Sequence, residues 1–147
     1  MLPNYPPTLL RGIPNKNPQF FDNQGQVTGN VFRPNDGQEP ENGFYKISIN
    51  WEDDDRVEDF TLHERLEDGS YHYKGGAARV SLERIDAMRR ETPWVGTVEY
   101  CREPINGINN YHGNLLLTED RVKNKNSKRA LLARLRRTIT VIILPIE

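Results

Sequence analysis

The sequence predicts a single α+β domain: mostly an antiparallel β meander of about six or seven strands, with two short helices and an extended Pro-rich N-terminal arm. Three observations carry this reading. Short segments alternate apolar and polar residues with a period of two, as Tyr45, Ile47, Ile49 and Trp51 do against Lys46, Ser48 and Asn50. Turn formers separate these segments at close intervals. Only two stretches combine a capping residue with helical spacing of apolar side chains. With 147 residues and one cysteine, the chain is long enough to build one core without disulfides.

Residues 1–26 carry Pro3, Pro6, Pro7, Pro14 and Pro18, so neither a helix nor a central strand is expected to run far there. Leu9, Leu10, Ile13, Phe20 and Phe21 are too many apolar residues for a free tail. The arm is therefore expected to lie extended over the body or over a partner, with the α+β domain running from 27 to 147. Residues 30–33 read as a short strand, broken by the turn chemistry of Pro34-Asn35-Asp36-Gly37. Residues 43–51 form the alternating strand already described. Asp68-Gly69 is a type I′ dipeptide, and centring a hairpin there pairs Leu66 with Tyr71 and Leu62 with Gly75. That register places Phe60, Leu62, Leu66, Tyr71, Tyr73 and Ala77 on one face.

Gly75-Gly76 marks a bulge or bend, after which 77–80 continue the strand. Ser81 caps a short helix carrying Leu82, Ile85 and Met88, which ends before Pro93. A strand follows over 94–102, then a loop over 104–110 and a strand over 113–118. Ser127 is expected to cap a helix to about Arg136, with Leu131, Leu132 and Leu135 on one side. The β-branched run over 138–144 reads as a buried central strand stopped by Pro145.

The chemistry that the sequence declares is sparse. Cys101, as the only cysteine, excludes multi-cysteine zinc and iron–sulfur sites, and it points with the absence of a signal-like N-terminus to a cytoplasmic protein. Glu52-Asp53-Asp54-Asp55 lacks the alternation of a calcium loop, and His63 and His72 lie among cationic neighbours, so no metal is expected. No phosphate-cradling glycine loop occurs, and no cofactor is expected. Cys101 lies at the end of one strand and His112 at the mouth of the next, so if these strands pair as a hairpin a Cys–His couple can form; Ser-His-Asp catalysis has less support, because no Gly-x-Ser-x-Gly elbow occurs.

Charge is strongly segregated although the net charge is only -1. Between Asp36 and Asp68 there are twelve acidic residues, against Lys46, Arg56 and Arg65. From 121 to 137, eight of seventeen residues are basic (Arg121, Lys123, Lys125, Lys128, Arg129, Arg134, Arg136 and Arg137) and none is acidic. The expected function is a non-catalytic protein-binding module or accessory subunit of a larger intracellular assembly. Its contact surfaces would be the arm from Leu2 to Phe21, through Leu9, Leu10, Phe20 and Phe21, and the basic segment. Two alternatives stand beside it: nucleic-acid binding through residues 121–137, and a small Cys–His enzyme using Cys101 and His112. No membrane partner is expected.

Overall fold

In the computed structural model of the protein, which describes residues 4–146, strand β2 (Phe44–Trp51) forms where the alternation places it. Met1 to Pro3, including the Leu2 expected to open the arm's contact surface, and Glu147 lie outside the described residues. Around β2, the described residues build one six-stranded antiparallel sheet from β1 (Thr8–Ile13), β2, β3 (Gly76–Ser81), β4 (Val98–Arg102), β5 (His112–Thr118) and β6 (Ile139–Ile143). The order across the sheet is β4-β5-β2-β1-β3-β6. The α+β class and the antiparallel sheet are as the sequence predicts. A meander is not, because β2 pairs with β5 and β1 sits between β2 and β3.

β1 is the largest correction. The prolines bracket this strand instead of interrupting it: Pro7 precedes and Pro14 follows six residues whose backbone N–H groups are all free to pair. Its register runs Thr8↔Ser81 through Ile13↔Gly76 on one side, and Leu9↔Trp51 and Leu10↔Asn50 on the other. The start of the supposed arm is also pinned. Tyr5 packs 4.7 Å from the Trp51 ring and 5.0 Å from Tyr100, and Arg102 donates to the Asn4 carbonyl at 3.1 Å.

One face of the sheet carries Leu9, Ile13, Ile47, Ile49, Trp51, Ala78, Val80, Val98, Leu115 and Leu117. Two helices complete this core: α2 (Leu82–Arg89), through Leu82, Ile85 and Met88, and α4 (Lys125–Arg136), through Leu131, Leu132 and Leu135. Ser81 caps α2 as predicted, accepting from Arg84 N at 3.2 Å. α4 begins two residues before the predicted cap, because Asn124 accepts from Ser127 N at 3.0 Å, and it follows directly on α3 (Glu119–Lys123).

The opposite face is covered by α1 (Val57–Leu62), which buries Val57, Thr61 and Leu62. Here a buried polar chain runs from Asn109 Nδ2 to Asn50 Oδ1 (2.9 Å), from Asn50 Nδ2 to Thr61 Oγ1 (2.8 Å), and on to the Val57 carbonyl (2.8 Å). Each donor finds an acceptor, which is the condition for burying such groups without loss.

Four further expectations change. The long hairpin over 60–77 reduces to one bridge, Arg65↔Tyr71, with Leu66 N donating to the Ser70 carbonyl at 2.9 Å. Only Gly69 has positive φ (+87°), so the turn is a three-residue loop and not the two-residue I′ turn, and the register shifts by one. Val57 to Leu62 turn helical instead, with Glu58 and Asp59 favouring a helix N-terminus. Residues 29–32 form a 3₁₀ turn (Gly29–Phe32), not a strand, which Thr28 caps by accepting from Asn30 N. The strand expected over 94–102 begins only at Val98, after turns. β6, expected at the centre, is an edge strand, with Val141 48% exposed and Leu144, just past its end, 79% exposed. Its apolar residues on both faces mimic a central strand's pattern.

Trp51 fixes how closely β5 approaches. Its Nε1 donates to the Cys101 carbonyl at 3.1 Å, and its ring occupies the space where a Cβ on Gly113 would stand. Gly113→Ala should therefore destabilise the protein by about 1–3 kcal/mol through overpacking. The effect would be read as a lowered thermal unfolding midpoint, and an unchanged midpoint would mean that the indole and the Cys101 carbonyl, which stands as close, both give way freely.

Candidate basic groove

α4 presents its leucines to the sheet and its cations outward, as its spacing requires. Beside it runs the 3₁₀ turn Gly29–Phe32, held so close that the Leu132 carbonyl occupies the place of a Cβ on Gly29. Glycine is needed there for that approach. Between the two lies a groove of about 480 Å³, lined by Lys125, Lys128, Arg129 and Arg136 from α4 and by Arg33 and Asn30 from the other wall. Ala133 supplies exposed apolar surface beside the buried Leu132, and among the described residues Asp22 is the one carboxylate on the lining and no aromatic ring borders it.

The eight cations of residues 121–137 divide into two groups. Arg121 donates to the Pro93 carbonyl at 2.9 Å and lies over the Trp94 ring. Lys123 pairs with Glu119 at 2.7 Å, and that bond raises its pKa. Arg134 pairs with Glu91 at 2.7 Å. By contrast, Lys125, Lys128, Arg129 and Arg136, with Arg137 beyond the helix end, form no ion pair among the described residues. The acidic segment does not neutralise them. Glu52 and Glu58 pair with Arg79, Asp53 with Arg102, and Asp54 with Arg56. The N-terminal end of α4 adds the positive end of its dipole to the field of Lys125, Lys128 and Arg129.

Of the four arm residues expected to meet a partner, Leu9 and Leu10 are 0% and 1% exposed within β1, so they hold the sheet together and present nothing outward. Phe20 and Phe21 are half-buried against the core. Phe21 also lines an apolar recess of about 660 Å³ with Val27, Ile142 and Leu144. Cys101 and His112 do lie on paired strands, but the register sets Asn114 opposite Cys101. His112 Nδ1 lies 2.8 Å from the Glu103 carbonyl, and Asn114 Nδ2 is 4.0 Å from the Cys101 sulfur. No hydrogen bond joins the thiol to the imidazole.

Sequence reasoning did not assign Arg33 and Asn30 to this site. They lie about ninety residues before α4, and only the packing of Val31 and Phe32 into the core brings them to its side. Gly29, a small residue next to a capping threonine, was the available signal of a close approach. Comparison with protein-family models finds no match to this chain, and comparison with curated proteins and with solved structures finds none either.

Proposed function

We propose that the chain is a non-catalytic protein-binding module that docks, as an accessory subunit does, onto an acidic segment of a partner protein through the groove between α4 and the 3₁₀ turn. The observation that supports this reading most is the set of four α4 cations that form no ion pair among the described residues, gathered on one groove with Ala133 exposed between them. Cations left free on a surface otherwise rich in ion pairs favour an anionic partner and speed its encounter. Ala133 leaves a small apolar patch between them, which an aliphatic side chain of an acidic peptide can cover. The absence of an aromatic ring removes the usual platform for unstacked bases.

The test is binding, by fluorescence anisotropy, of a labelled peptide of alternating Glu and Leu and of a DNA duplex of equal charge, each across a range of salt. The peptide should bind more tightly, weaken with salt, and lose affinity roughly tenfold or more on charge reversal at Lys128 and Arg129. Tighter, steeply salt-dependent binding of the duplex would transfer the groove to nucleic acid. Failure of both probes would remove it as a binding site.

A further inference from the structure

Arg11 lies on the core face of β1, between Leu9 and Ile13 and opposite Ala78 of β3. Its Nε donates to the Val31 carbonyl at 2.7 Å and its Nη1 to the Ser48 carbonyl at 2.9 Å. These bonds fill a gap: β1 and β2 pair only at Leu9 and Leu10, and the next residue's guanidinium bridges to β2 where the ladder has stopped. Two neutral carbonyls satisfy hydrogen bonds and leave the charge uncompensated. No carboxylate of the described residues lies within ion-pair distance of Arg11. Its ionisable neighbour is Tyr73, whose hydroxyl burial holds in the neutral form. Arg11 is half-buried, and a cation drawn this far out of water is ordinarily paired.

The side chain borders a cavity of about 160 Å³, whose other walls include Arg33, Asn30, Asn35 and Phe20. That space is many times the ~10–15 Å³ that one water requires. Arg11 Nη2 donates to no group among the described residues, so a donor remains for whatever occupies the cavity. Asp36 also borders it, taking Arg33 Nη2 at 2.9 Å from a side chain that is 89% exposed. So exposed a pair contributes little, and a better-placed anion can displace it.

We propose that this cavity binds a small oxyanion, a phosphate or carboxylate group, held between the guanidinium groups of Arg11 and Arg33. It adjoins the α4 groove, sharing Asn30 and Arg33 with it, and Arg11 belongs to this cavity alone. The site therefore stands whether or not the groove takes a protein.

The experiment follows the Nε–H resonance of Arg11 in the full chain by ¹H–¹⁵N NMR while inorganic phosphate, acetate or chloride is added at matched ionic strength. A saturable shift with phosphate, with acetate or with both is expected, and the stronger of the two names the ligand group. Asp36→Asn, which removes the competing carboxylate, should tighten binding roughly two- to fivefold. Followed instead at the side-chain amides of Asn30 and Asn35 on the cavity wall, the saturable shift should be lost in Arg11→Gln and kept on charge reversal at Lys128 and Arg129, which separates this site from the groove. If Arg11→Gln does not fold, the wild-type titration and Asp36→Asn decide alone. A shift no different from that of chloride, or an affinity that Asp36→Asn leaves unchanged, would overturn the proposal.

Discussion

A chain that begins after Ile13 should fail to fold. Without β1, the strand groups β4-β5-β2 and β3-β6 share no backbone hydrogen bonds, because β1 alone pairs with both β2 and β3. The truncation also removes Leu9, Leu10 and Ile13, none more than 1% exposed. At roughly 1.5–3 kcal/mol per buried aliphatic side chain, their loss takes away about 5–9 kcal/mol. The whole stability of a domain is about 5–15 kcal/mol. Far-UV circular dichroism and NMR peak dispersion measure the outcome. A truncated chain that still melted cooperatively near the full-length midpoint would return the segment to the status of an appendage.

That prediction reverses what the sequence suggests, and the reason is physical. Proline density describes where a ladder cannot form, and it says nothing of the room left between two prolines. Six residues between Pro7 and Pro14 are a full strand. Local rules succeed where one residue dictates one geometry: Ser81 at the start of α2, the alternation of β2, and the leucines of β5. They fail where two periods fit the same residues. Val57 to Leu62 satisfy a strand's alternation through Phe60 and Leu62, and equally a helix's spacing through Val57 and Thr61. The buried bond from Asn50 to Thr61, across eleven residues, favours the helix. β6 shows the opposite limit, since an uncharged run cannot state whether it has one neighbour or two.

The site was half legible for the same reason. The cations of residues 121–137 are visible as a block, yet the sequence does not show which of them are spent on Glu119, on Glu91 and on the Pro93 carbonyl. Nor does it show Arg33 arriving from a distant segment. Arg11 is the clearest case: nothing in Thr8–Ile13 distinguishes an arginine pointing into water from one lying across the core face of a sheet.

Helix α4 should separate stability from binding along its two faces. Leu135 is fully buried, so Leu135→Ala is expected to cost about 2–5 kcal/mol while leaving the outward cations in place. Charge reversal at Lys128 and Arg129 should do the reverse. Neither residue forms an ion pair among the described residues, and both lie in the N-terminal half of the helix, where the residual field of the dipole does not oppose acidic side chains. Lys128→Glu with Arg129→Glu should therefore leave chemical denaturation unchanged or shift it slightly toward greater stability. The same variant should bind the acidic peptide roughly tenfold or more weakly. Residues whose charge serves only to hold a fold lose stability when it is reversed. Here the expected signs are opposite, and a loss of stability parallel to the loss of binding would mean that these cations support the fold and not a partner.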